Sequence, residues 1–332
     1  MSKVTVVVVT YNSEPVIASC LDSCREYSVI LIDNASADGT LWVAQGYPNV
    51  RITANECNRG FAAAVNQGIA QSETDYILVL NPDVTLRDRV EPLAEACGRE
   101  GAAAAAGQLI DEEGRPQRGF GIRRFPRPIT LVFEVLGINR VFPWNSVNRR
   151  YRELRRNLNE GEEVDQPAGA FLMLSRKAWE SLNGFDETFY PVWFEDVDFC
   201  RRARDAGYKL IYDPAVKARH RGGQSVHTLP GECRELYWYV SLLRYAVKHF
   251  RPLAFRAVSA AVALGAALRA IISLFAGRGA AVARADCKVS WFAGGCLVSG
   301  RLPGLPAPLC GQMAAISKLT GSGQVTPSAR NI

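Results

Sequence analysis

The chain has 332 residues, 48% hydrophobic and 22% charged, ordinary for a globular protein and enough to bury one large domain plus an extension. A net charge of +6 suits anionic partners (nucleic acid, a phosphorylated small molecule or an acidic membrane face) and selects none of them. The nine cysteines are scattered with no CxxC pair, which sets aside a zinc or dithiol site; the expectation is reduced thiols in a cytosolic chain, with no charged-then-apolar leader in view.

The run VTVVVVTYN (4–12) is a continuous β-branched segment of the kind buried on both faces of a parallel sheet. A helix is predicted from Ser13 to about Arg25, a strand at 28–36, a helix from near Asp38 and a strand at 49–55. A helix at 60–72 and a strand at 75–84 that turns at Pro82 complete this half. Such alternation predicts an open α/β sheet, mostly parallel and twisted, flanked by helices. Ligands of these sheets bind beyond the carboxyl ends of the strands. TYN (10–12), DNAS (33–36), NECNRG (55–60) and NPD (81–83) should therefore gather on one edge.

Residues 110–165 are less regular, rich in Arg, Pro and aromatics, and read as a basic insertion or mobile lid. The alanine run at 102–106 is assigned to no element. Compact patterning returns with a strand at 170–174, a helix from Arg176, a turn at Gly184, a helix from Phe199 to Gly207 and a short strand at 208–212. The division expected is a catalytic domain over 1–250 and a helical extension over 251–332. Within the extension, 257–276 is about long enough to span a bilayer but is dominated by small residues and carries Arg269. A packed helix, a surface anchor and a span all remain open.

Six segments occur in order: VVVVTYNSE, LIDNASADGT, NRGFAAAVNQG, LVLNPDV, GAFLMLSRKAWESLNGFDETFYPVWFEDVDFCRRARDAGY and HRGGQS. The series resembles that of family 2 glycosyltransferases of the GT-A fold, in the bacterial rhamnosyltransferase-like branch that builds cell-surface polysaccharides. The resemblance covers residues 4 to about 228. It implies a nucleotide-sugar donor, with Thr10, Tyr11 and Asn12 lining the nucleotide pocket and Asp33 and Asn34 meeting base and ribose. It also implies Asn58, Arg59 and Gly60 at a helix start suited to a diphosphate, Asn66 facing the nucleotide, and Asn81 on the donor side. Against each Asp and Asn stands an ordinary turn or cap role.

NPD replaces the family's Asp-x-Asp. Asp83 still offers an oxygen to Mg²⁺ or Mn²⁺, and His220 resembles a histidine that completes the metal or diphosphate site in some relatives. Asn81 brings only a neutral carbonyl, which weakens any tight metal grip. The acids after YPVWF have a bland reading as helix-start caps. By the resemblance, Asp196 is the general base and Glu195 positions it or bonds the acceptor. Gly169, Trp193 and Phe194 lie on the acceptor side, the rings forming a sugar wall that raises the carboxylate's basicity.

One base opposite a departing diphosphate implies inversion. The expected acceptor is a glycan, free or on a polyprenyl diphosphate, met at the cytoplasmic face of the inner membrane; nucleic acid is not an expected partner. No glycine-rich N-terminal loop supports a nucleotidyltransferase, no GxGxxG a dehydrogenase, and no QxxRW a processive synthase. A glycan-binding protein with a degenerate site is the non-enzymatic alternative.

Overall fold

The computed structural model describes residues 4–222, 231–275 and 280–303. Residues 223–225 of the HRGGQS motif and 304–332 of the expected extension lie outside the described residues. The first half follows the predicted alternation: β1 (Val4–Thr10), α1 (Glu14–Ser23), β2 (Ser28–Asp33), α2 (Thr40–Ala44), β3 (Val50–Ala54), α3 (Phe61–Ala70) and β4 (Tyr76–Leu80). Then come β5 (Val84–Leu86), α4 (Glu91–Cys97), β6 (Ala102–Ile110) and β7 (Ile122–Arg123). The helices α5 (Pro128–Val135), α6 (Ile138–Val141) and α7 (Ser146–Tyr151) precede β8 (Glu162–Glu163) and β9 (Gln166–Pro167). The chain continues through β10 (Phe171–Ser175), α8 (Arg176–Ser181), α9 (Glu195–Asp205) and β11 (Lys209–His220) to α10 (Gly231–His249), α11 (Pro252–Phe275) and α12 (Ala280–Ser299).

The sheet runs β3-β2-β1-β4-β10-β6-β11-β5, with β8 on β11. Neighbours among β3, β2, β1 and β4 are parallel, as are β6 and β11. β10 is antiparallel to both its neighbours, and β5 to β11. The valine run on β1 explains the layering. Val4, Val6 and Val8 join Ile17 and Leu21 of α1 in one core, while Val7 and Val9 join Val65 and Ile69 of α3 in the other.

The alanine run forms β6, buried between β10 and β11. Alanine prefers helix by itself; here small side chains admit close neighbours. A Cβ on Gly107 would lie 2.3 Å from both the Phe171 ring and the Val216 carbonyl. β11 runs to His220 rather than stopping at Tyr212, because a register shift between Asp213 and Lys217 absorbs Pro214.

Residues 110–165, expected as a basic insertion or mobile lid, carry helices that pack against the rest of the chain. These are α5, α6 and α7, and Leu131 and Val135 of α5 share a third core with Val197 of α9, Leu243 of α10, Val258 and Val262 of α11 and Phe292 of α12. Thus α10, before the expected boundary at 250, packs with the helices after it. On α11, a Cβ at Gly265 would lie 2.5 Å from the Val135 carbonyl. Arg269 donates to Asp286 at 3.0 Å and to the Val135 carbonyl at 3.1 Å. One face of this apolar helix is therefore committed to protein, while Leu268, Ile271, Ile272, Leu274 and Phe275 are exposed.

Cys20, Cys24, Cys97, Cys200 and Cys296 are free and buried, and Cys287 is free and exposed. Cys57 is disulfide-bonded, so the expectation of reduced thiols throughout fails there. It stands half-buried in the β3–α3 turn rather than in a core.

Candidate active site

A cleft of about 790 Å³ lies at the sheet edge where β1, β2 and β4 end and β10 begins. Thr10, Tyr11, Asn34, Asn58 and Asn81 line one side of it. Behind them, fully buried Asp33 accepts hydrogen bonds from Thr10 Oγ1 at 2.7 Å, Ser36 N at 2.9 Å and Ser36 Oγ at 2.5 Å. It braces the β2 turn and is not on the cleft wall. Asn34 donates to the Gly60 carbonyl at 3.2 Å, and Asn58 Oδ1 accepts from Gly60 N at 2.8 Å.

Gly60 itself (φ 85) needs its missing side chain, since a Cβ would lie 2.9 Å from the Tyr190 ring. Arg59 is exposed and donates to Gln67 at 3.3 Å. Asn12 and Asn66, like Asp33, Arg59 and Gly60, are expected donor residues that do not line the cleft. Asn12 (φ 48) uses its side-chain oxygen on Ala37 N at 2.8 Å. Asn66 saturates its amide as a fastener, donating to the Phe185 carbonyl and Glu187 and accepting from Trp179 Nε1 and Phe185 N.

At the far end of β11, the register opposite Val84 brings His220 Nε2 to 3.6 Å from Asp83 Oδ1, both side chains buried. Gln117 Nε2 donates to the His220 carbonyl at 2.7 Å, which orients the amide so that its Oε1 accepts from His220 Nδ1–H at 2.9 Å. The lone pair of Nε2 then faces Asp83. Burial lowers the His220 pKa against the opposing pull of Asp83, keeping the ring neutral. A neutral imidazole nitrogen and a carboxylate oxygen converging on one point fit a divalent cation such as Mg²⁺ or Mn²⁺. Among the described residues no third His, Cys, Asp or Glu joins them, so the chain's own grip is two ligands.

On the opposite wall, Trp193 (φ 84) and Phe194 (φ 70) adopt left-handed backbone, which costs about 1–3 kcal/mol each for such residues. These two turns start α9 at Glu195, four residues before the predicted start, and put Asp196 in its first turn. Asp196 Oδ2 accepts from Gly169 N at 2.9 Å and Oδ1 from Val197 N at 2.8 Å. Gly169 is required by proximity, because a Cβ there would stand 2.9 Å from the Asp196 Cβ. Burial raises the Asp196 pKa; those two N–H groups and the Arg123 charge limit the rise.

Glu195 is 4% exposed, and its Oε2 has no partner among the described residues. Burial, then the Asp196 charge, push its carboxyl well above the usual range. Burial thus raises the pKa of both carboxyls of the pair, Glu195 further than Asp196. Asp196, Asn34 and His220 line one and the same cleft.

The family model described as glycosyl transferase family 2 matches residues 5–182. This chain belongs to glycosyl transferase family 2. A second model, described as the N-terminal domain of galactosyltransferase, matches 154–222. A relative in Mycobacterium tuberculosis, named N-acetylglucosaminyl-diphospho-decaprenol L-rhamnosyltransferase, is 34% identical over 240 residues, covering 66% of this chain and 76% of the relative. Rhamnosyltransferase WbbL of Escherichia coli is 24% identical over 229 residues, covering 65% and 83%. The crystal structure of GalNAc-T7 with UDP, GalNAc and Mn²⁺ superposes with a TM-score of 0.52 at 14% identity, over 73% of this chain and 47% of that one. That likeness concerns the fold alone: the family 2 chain has the GT-A architecture.

Sequence reasoning named no residue of this glycosyltransferase's cleft from 110–165, β9 or α10. Yet Gln117, Phe120, Arg123, Tyr151, Gln166 and Trp238 all line it. The interleaved arginines and aromatics of RGFGIRRF were the available signal; what they faced required the β7–β9 pairing.

Proposed function

We propose that this family 2 glycosyltransferase inverts configuration as it moves L-rhamnose from dTDP-rhamnose to a lipid-linked glycan. The observation carrying this reading is the Asp196 carboxyl group, held by two backbone N–H groups in the cleft shared with Asn34 and His220. Thr10, Tyr11, Asn34 and Asn58 bind the nucleoside, and Asn81 meets the donor. Asp83 and His220 would hold Mg²⁺ or Mn²⁺, which when bound neutralises charge on the leaving diphosphate. Asp196 accepts the proton of the acceptor hydroxyl as that oxygen attacks the anomeric carbon. The carbon–oxygen bond to the diphosphate breaks on the opposite face, and its electron pair leaves with the nucleoside diphosphate. Glu195 and the rings of Trp193 and Phe194 orient the acceptor sugar.

The donor rests on relatives named rhamnosyltransferases, and the acceptor class on the diphospho-decaprenol in one relative's name. A peripheral seat on the cytoplasmic face of the inner membrane is supported by the exposed apolar residues of α11 and by Val141, Phe142 and Trp144 at and after the end of α6. Exposed Arg140, Arg251 and Arg256 add charge suited to anionic lipid.

The test is turnover of dTDP-, UDP- and GDP-sugars with wild type and Asp196→Asn. The expected result is transfer from dTDP-rhamnose, lowered about 10²- to 10⁴-fold in kcat by the substitution. A folded wild type inactive on every donor would overturn the reading, as would full activity in Asp196→Asn.

A further inference from the structure

Resting on that reading, we infer that the cleft contains a second anion-binding subsite, in which Arg123 receives the diphosphate of the acceptor and Gln166 a neighbouring hydroxyl. The short β7–β9 ribbon sets Arg123 directly opposite Gln166, so the two side chains leave one face of the ribbon together. Both line the cleft, on the wall that also carries Asp196.

Arg123 is a held charge without a close carboxylate partner. Its Nε donates to the Gly119 carbonyl at 3.0 Å, and its guanidinium lies 5.4 Å from the Phe120 ring centre and 5.9 Å from that of Tyr151. No carboxylate lies within ion-pair distance of it among the described residues, whereas Arg152 in the same wall is paired with Glu134 at 3.4 Å. Arg118, also in the wall, spends its Nη1 on the carbonyls of Leu154 and Arg156. The Nη groups of Arg123 keep the forked geometry that matches phosphate oxygens.

Gln166 supplies the independent observation. It is 3% exposed, yet its Oε1 has no partner among the described residues. A buried acceptor without a donor is uncommon and asks for a ligand group. A sugar hydroxyl beside a phosphate supplies such a donor.

The donor's diphosphate is not the anion in question. The Phe120 ring contacts both groups: it stacks on His220 with ring centres 5.0 Å apart and lies 5.4 Å from the Arg123 guanidinium. Among the described residues Arg123 makes no hydrogen bond or ion pair to Asp83 or His220, which face each other. Arg123 stands on the Asp196 side, where its charge is felt by the base. An anion arriving there belongs to the molecule whose hydroxyl Asp196 deprotonates.

The experiment compares two acceptors with dTDP-rhamnose as donor: N-acetylglucosaminyl diphosphate on a short prenyl chain, and N-acetylglucosamine joined to the same chain by a neutral ether. Arg123→Ala is expected to raise KM for the diphosphate acceptor about 10- to 100-fold, to affect the neutral one less, and to leave dTDP-rhamnose affinity by calorimetry within about twofold. Arg123→Lys keeps the charge without the fork and should recover part of the preference. Equal losses on both acceptors, or a parallel loss of donor affinity, would overturn the subsite while transfer by the wild type upheld the parent reading. No transfer by the wild type to either acceptor would overturn both.

Discussion

As the proposed base, Asp196 works only when ionised, so kcat/KM is expected to fall as pH drops through its pKa. Burial lifts that pKa above the ordinary aspartate value, and the acidic limb of the profile is expected to be displaced upward in the same direction. Gly169→Ala tests the same carboxylate from outside. The added methyl would stand 2.9 Å from the Asp196 Cβ and push the base out of line. Displacements of this size cost about 10²-fold in rate, and kcat should fall by that order while the thermal midpoint changes little. The acid pair and the polar turns were legible in the sequence because their chemistry is local. Asn66 was not, since its role depends on Trp179 and Phe185, more than a hundred residues away.

Elements were legible where hydrophobic period and turn residues agreed, as in β1 to β4. They were misread where tertiary packing overrode propensity. The alanine run became a buried central strand, and at Gly107 of the same strand a Cβ would meet the Phe171 ring and the Val216 carbonyl. Asp213 and Pro214 looked like the end of a strand, but the register shift carries β11 on to His220 and so delivers the histidine to Asp83.

Helix α9 is fastened to α10 by Asp198, whose side chain is fully buried. It meets Arg202 at 2.8 Å, Lys248 at 2.8 Å and His249 at 2.7 Å. Burial alone would raise its pKa, yet His249, Lys248 and Arg202 hold it at about 2. A folded-state pKa below the unfolded value of about 3.9 contributes stability that is complete above that value and lost as pH falls toward about 2. The depression corresponds to roughly 2 kcal/mol. Asp198→Asn should therefore lower the urea midpoint at pH 7, with the gap to wild type narrowing between about pH 4 and pH 2.

At the scale of the whole molecule, the strand ends of β1, β2 and β4 form one wall of the cleft, and α9, the β7–β9 ribbon and α10 contribute to the rest of its lining. The outward face of α11 is apolar and exposed. Ile271→Ser combined with Phe275→Ser, at positions 51% and 89% exposed, should weaken co-sedimentation with phosphatidylglycerol vesicles severalfold. Turnover of a water-soluble acceptor should not change. Unaltered vesicle binding would mean that this face does not meet lipid.

The third core has a practical corollary. Leu131, Val135 and Val197 of the catalytic body are roofed by Val258, Val262 and Phe292, so cutting the chain after Phe250 strips cover from the helix that bears the base. A shortened protein that loses turnover would report a collapsed scaffold, not a missing lipid anchor. Separating those two causes requires changes confined to the outer surface of an intact chain.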